Sequence, residues 1–184
     1  MRPLHLDQDG AELRPLLAET VVEDLLRASS GIPQDRPGWR ITAHPPMAPL
    51  LGQGSPVGAS VCDLLGPSAK PVRAILFDKS QDANWSLGWH QDRTIAVRER
   101  SEVPGFRSWN VKQGIIHVEP PFALLEGMVT VRIHLDDVDM QNGPLEIILG
   151  SHRHGRLEEH ELGRLASTGT AGTCLARRAT SGCT

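Results

Sequence analysis

Met128-Val129-Thr130-Val131-Arg132-Ile133-His134-Leu135 is the stretch that decides the fold class. Val129, Val131, Ile133 and Leu135 alternate with Thr130, Arg132 and His134, a period of two that gives a strand one apolar and one polar face. A polar turn over residues 136–143 follows, containing Asn142-Gly143. Leu145-Glu146-Ile147-Ile148-Leu149 then reads as a second strand, expected to pair antiparallel with the first. Upstream, Val72-Arg73-Ala74-Ile75-Leu76-Phe77 and Gly114-Ile115-Ile116-His117-Val118 are two further short apolar runs with strand character.

The first third of the chain reads differently. Leu13, Leu16, Leu17, Val21, Leu25 and Leu26 recur at three- and four-residue steps, which predicts a helix over residues 10–29, ended by Gly31-Ile32-Pro33. Residues 32–49 are rich in Pro and Gly and predict an irregular connection. A second helix is expected over residues 57–65, stopped by Gly66-Pro67. Helices followed by several short strands predict a mainly β domain, a sandwich or jelly roll with helices packed outside.

With 184 residues the chain is long enough for one domain with its own core. A net charge of −3, with acids and bases interspersed, gives no nucleic-acid or anionic-membrane surface. No apolar run reaches the length of a membrane span, and Met1-Arg2-Pro3-Leu4-His5-Leu6-Asp7 does not read as a secretory signal. Cys62, Cys174 and Cys183 are odd in number and irregular in spacing, which fits reduced thiols and a cytoplasmic location.

The chemistry is concentrated at Gly88-Trp89-His90-Gln91-Asp92. On a strand His90 and Asp92 would point to one face, presenting an imidazole beside a carboxylate. That is two-thirds of the 2-His-1-carboxylate facial triad that holds non-haem Fe(II) and leaves positions open. A bare His-x-Asp spacing arises often by chance. Here it is followed, in order, by Leu135-Asp136-Asp137, Asn142-Gly143-Pro144-Leu145 and Gly150-Ser151-His152.

Over residues 70–157, about half the chain, this series resembles the phytanoyl-CoA dioxygenase family of Fe(II)- and 2-oxoglutarate-dependent oxygenases. The resemblance implies a double-stranded β-helix (a cupin-like jelly roll), with residues 1–69 as an N-terminal helical and irregular region and 70–184 as the jelly-roll core. It implies hydroxylation of a small organic or lipid-like substrate, with dioxygen and 2-oxoglutarate as co-reactants. His90 and Asp92 match the family's first two metal ligands. Lys79, Asn84, Gln91 and Trp109 stand where relatives approach the cosubstrate or wall the pocket, and residues 98–109 would form the loop over it. Lys79 reads equally well as a solvated loop lysine, and a buried Trp is more often core than cofactor contact.

Other polar clusters carry less. His152-Arg153-His154 matches the family's Gly-Ser-His turn, which is not a ligand there, and His134 reads as a satisfied core histidine. Asp137-Val138-Asp139-Met140-Gln141 fails as a calcium loop, because Gly143 falls at the seventh place and Ile148 stands where a bidentate Glu is required.

The family's last ligand is a His on a later strand, after Gly-Asp and an apolar run, with a cosubstrate-pairing Arg beyond it. Neither follows here, so the resemblance implies a jelly roll missing its last strands and a chain inactive as it stands. Ala176-Arg177-Arg178-Ala179-Thr180-Ser181-Gly182-Cys183-Thr184 has no strand pattern. Loss of one G from GC-rich codons for Ala-Arg-Arg-Gly-Asp-Val-Trp-Leu-Tyr would produce this ending, and sequencing the gene tests it. Two other readings stay open: a non-catalytic cupin-like binding module or remnant, and a non-redox metal enzyme using His90, Asp92 and a replacement such as His152. Substrate identity and oligomeric state are not legible.

Overall fold

The computed structural model describes residues 2–14, 17–33, 38–41, 44–78 and 87–184. In chain order the elements are α1 (Leu6–Asp9), β1 (Glu12–Arg14), α2 (Glu19–Ser29), β2 (Gly38–Arg40), α3 (Ala48–Leu51), α4 (Pro56–Leu65), β3 (Ile75–Phe77), β4 (Ile95–Val97), β5 (Arg107–Lys112), β6 (Ile115–Glu119), α5 (Phe122–Leu125), β7 (Val131–Ile133), β8 (Leu145–Ile148), α6 (Glu159–Thr168), β9 (Ala171–Cys174) and β10 (Ser181–Cys183). Every strand pair is antiparallel, in two three-stranded and two two-stranded sheets that do not close into a barrel among the described residues. The chain is thus mainly β with added helices. No described helix is long and apolar enough to cross a membrane.

Two compact units emerge. The first comprises Met1–Leu26, Gln81–Gln91 and Val129–Thr184. Its main sheet has the order β1-β10-β7, and a second pair joins β8 to β9. Val22, Leu25, Ile148, Leu157, Ala179 and Cys183 are buried within it. Asp9 is buried there too, gripped by both terminal nitrogens of Arg2 and by the His5 backbone N–H. These bonds, led by the Arg2 guanidinium, hold its carboxyl well below the usual carboxylate range.

The alternating stretch does form a strand, but its partner is not the one expected. β7 pairs with β10, and β8 pairs with β9, so the segments around 131 and 147 never meet as neighbours. The tail expected to lack strand structure supplies the middle strand of the sheet. Ser181, Gly182 and Cys183 are small enough to fit between two neighbours, and Cys183 is only 1% exposed. The expected helix over residues 10–29 also divides. Gly10 takes a left-handed conformation (φ +78°) that caps α1, residues 12–14 pair with the tail, and only Glu19–Ser29 is helical.

The second unit comprises Arg27–Ser80 and Asp92–Met128. α4 matches its sequence expectation because its signals are local: Ser55 accepts from the Gly58 N–H, Pro56 opens the helix and Gly66 follows its end. β2 pairs with β3, and a separate sheet has the order β4-β6-β5. The β5–β6 hairpin turns through Gln113 (φ +53°) and Gly114 (φ +76°), both left-handed, as a two-residue turn of this twist requires. The Gln113 side chain then reaches β2, accepting from the Arg40 N–H (2.8 Å) and donating to the Gly38 carbonyl (2.9 Å). A side-chain amide thereby completes a rung of backbone pairing.

Candidate functional site

The boundary between the two units falls between Gln91 and Asp92. His90 and Asp92 lie on an irregular segment before β4, five and three positions ahead of its first residue rather than on a strand as expected. Both are exposed. His90 Nδ1 is 2.7 Å from the Gly88 carbonyl. A carbonyl only accepts, so Nδ1 carries a proton, and the neutral form of the ring has its lone pair on Nε2. This is the tautomer a metal-binding imidazole uses, fixed by the bond its other nitrogen makes.

Gln91 is held in the first unit. Its Nε2 donates to the Gly155 carbonyl (2.7 Å), and its Oε1 accepts from the Leu157 N–H (2.9 Å). The side chain expected to approach a cosubstrate is therefore engaged with backbone. Asp92 belongs to the second unit, where Arg73 lies 3.4 Å from its carboxylate. Arg73 also donates to Thr94, at 3.2 Å to the carbonyl and 3.3 Å to the hydroxyl. Arg73 is the residue that sequence reasoning missed. Its only signal was a single cation inside the apolar run 72–77.

Trp109, expected in a loop, lies on β5, half-buried, with the Arg100 guanidinium 5.6 Å from its ring centre. Lys79 and Asn84 lie outside the described residues. The remaining polar clusters adopt structural roles. His152 Nε2 is 3.2 Å from the Asp7 carbonyl, and its ring sits where a side chain at Gly10 would be. Asp139 organises its own turn by accepting from Gln141 and Asn142, while Asp137 takes bonds from Arg177 and the Arg178 N–H. His134 is half-buried, and desolvation, aided by Arg132, holds its pKa below the ordinary value.

The donor set can be compared with an iron site. All eight histidines and all three cysteines are among the described residues, and the cysteines are free thiols. No group of three His, Cys, Asp or Glu side chains comes together among the described residues. His90 and Asp92 supply the right chemistry for two positions of a facial triad, and nothing described supplies the third. The described residues thus do not fit a complete iron centre. A 260 Å³ cleft in the first unit, lined by His154, Leu157, Glu161, Arg164, Leu165 and Thr168, contains none of the site residues expected from sequence.

Comparison with known proteins adds the family. The phytanoyl-CoA dioxygenase (PhyH) model matches residues 56–171, well over half of the chain, spanning Arg73, the His90–Asp92 segment and the Asn142-to-His152 series. No curated protein and no solved structure matches. By that match, the chain belongs to the phytanoyl-CoA dioxygenase family.

Proposed function

We propose that the chain carries the scaffold of an Fe(II)- and 2-oxoglutarate-dependent oxygenase, with His90 and Asp92 as its metal-binding pair. The substrate class is a small organic or lipid-like molecule, and residues 70–184 are assigned to an incomplete double-stranded β-helix, whose sheets do not close among the described residues. The observation that carries this reading is the Gly88 carbonyl on His90 Nδ1, which leaves Nε2 as the exposed lone pair two residues from an exposed carboxylate. When bound, the iron and its cosubstrate would supply oxygen activation, and the described donors for it stop at two. Arg73 orients the Asp92 carboxylate. Lys79, Asn84 and Trp109 keep their assignment on the cosubstrate side by resemblance alone, and Gln91 is assigned to holding the ligand segment.

A second reading has an observation in its favour. Two ligands do not close a facial site, so a non-catalytic, cupin-like binding module remains consistent with the described donors. Calorimetric titration with Co(II) as an oxygen-stable stand-in, alongside a succinate assay with Fe(II) and 2-oxoglutarate, separates the two. The first reading expects weak metal binding that His90→Ala and Asp92→Ala each abolish, and little or no succinate. Absence of any metal binding supports the module. Rapid succinate formation that survives His90→Ala would refute the assigned pair.

A further inference from the structure

Residues 87–91 have little to hold them in place. They form no strand or helix, and among the described residues their backbone groups make no backbone–backbone hydrogen bond. Packing adds little, since Leu87 is 69% exposed and Trp89 42%. Yet His90 keeps the bond from Nδ1 to the Gly88 carbonyl, which requires the backbone between them to hold one course. An exposed bond of this kind contributes little unless its partners are already ordered.

Gln91 is the exception in that segment, half-buried beside exposed neighbours. Its side-chain bonds to the Gly155 carbonyl and the Leu157 N–H are the segment's only hydrogen bonds to residues outside it, among the described residues. An amide that donates with one end and accepts with the other can dock on this pair in one orientation only. The anchor is therefore as well placed as the turn that receives it.

That turn is seated on the N-terminal segment. The Gly150 N–H donates to the Asp9 carbonyl (2.8 Å), and His152 Nε2 donates to the Asp7 carbonyl (3.2 Å). The fit is close. A Cβ at Gly10 would lie 2.5 Å from His152 Nδ1, and one at Gly150 would lie 3.5 Å from the Gln8 carbonyl oxygen. α1 is a single turn, too short to persist alone, and the grip of Arg2 and the His5 N–H on the Asp9 carboxylate secures it. Every residue in this series belongs to the first unit.

We propose that residues 2–10 are a remote positioning element for the His90 imidazole. Arg2 and Asp9 hold α1, α1 seats residues 150–152, the turn presents Gly155 and Leu157, and Gln91 carries that placement to the neighbouring His90. Gly10, His152 and Gln91 are thus positioning residues, acting through His90. What the placement does for metal binding rests on the His90–Asp92 reading; the placement itself does not.

The test follows His90 in the full chain without metal, by ¹H–¹⁵N NMR of the imidazole at about pH 8.5, well above the ordinary histidine value near 6.5. Its resonances are identified by their loss in His90→Ala. The parent should show one tautomer, with the proton on Nδ1. Gln91→Ala should lower the ratio of that tautomer to the other by about fivefold, the worth of one ordinary hydrogen bond. Gly10→Ala, which drives the His152 ring off its seat, and His152→Ala, which deletes it, should each move the ratio the same way by a smaller factor. Neither should add to Gln91→Ala in the double variant, since all act along one series. Cys183→Ala, a buried change elsewhere in the same unit, should lower stability and leave the tautomer alone. An unchanged tautomer in Gln91→Ala, an unchanged tautomer in both Gly10→Ala and His152→Ala, or an equal shift in Cys183→Ala overturns the proposal. Co(II) titration separates the metal reading: Gln91→Ala should weaken binding about tenfold. Co(II) binding that survives His90→Ala undiminished removes the metal role, and the tautomer still decides the positioning.

Discussion

Removing residues 181–184 tests whether the tail strand holds the first unit together. Thr184 and Thr130 exchange two backbone hydrogen bonds, of 2.7 and 2.9 Å. Bonded pairs alternate along an antiparallel ladder, so Gly182–Arg132 is the next bonded pair toward β7, while Cys183–Glu12 and Ser181–Arg14 are bonded toward β1. At two bonds per pair the deletion removes about eight. Taking the low end of the net value, about 0.5 kcal/mol each, because four ordered residues are released as well, the loss is about 4 kcal/mol. That is a large fraction of the stability of an ordinary domain, whose total is about 5–15 kcal/mol. β1 has no other strand neighbour among the described residues, so it should detach. Urea titration followed by circular dichroism should show the midpoint falling by about 2 M, at a slope near 2 kcal/mol per molar. Gly182→Pro keeps the length but removes one central N–H and should cost about 3 kcal/mol. A deletion variant within about 0.5 kcal/mol of the parent would falsify the placement of β10.

Three further outcomes are expected. Because Asp9 has its pKa depressed in the folded state, its pairing stabilises the chain above the unfolded value near 3.8 and is lost as pH falls below it; Arg2→Ala should therefore move acid unfolding, read by circular dichroism, to higher pH. His117 and His134 are both held below the ordinary value near 6.5, so their contribution is full above that pH and declines beneath it, and His117→Asn should flatten the thermal-melt profile between about pH 7 and 5. A side chain at Gly58 would strike the Gly52 carbonyl, so Gly58→Ala should destabilise by about 1–3 kcal/mol in urea unfolding, against the gain of up to about 1 kcal/mol that Ala brings to an open helix.

Elements whose signals are local were the legible ones. α4 carries its cap, its proline and its terminal glycine within twelve residues, and β6 is a compact β-former run beside a two-residue turn. The partner of β7 was not legible, because Ser181-Gly182-Cys183 has little intrinsic strand preference and gains its conformation from the neighbours on both sides. The helical period over residues 10–29 misled for a similar reason. Leu13 fits that period, yet it is 52% exposed on β1, where backbone pairing decides its conformation. At the site, the spacing of His90 and Asp92 could be read from neighbouring positions. Arg73 could not, since nineteen residues separate it from Asp92 and its role depends on where two extended segments meet. Nor could the polar burial of His117, whose strand reads as an ordinary apolar run.

The bridge made by Gln113 has a consequence for the order in which the second unit assembles. The β5–β6 hairpin needs only a two-residue loop and can form within about 1–10 μs. The Gln113 bonds to Arg40 and Gly38 span 73 and 75 residues, so they close one of the long loops of the chain and must await slower, less local encounters. The hairpin tip is then a template that exists before β2 arrives, and its side-chain amide gives the incoming strand a register. Asn would suit the left-handed backbone at position 113 better than Gln does, but it is one methylene shorter. The turn accepts a locally poorer residue in exchange for reach, and with it a fixed order of assembly.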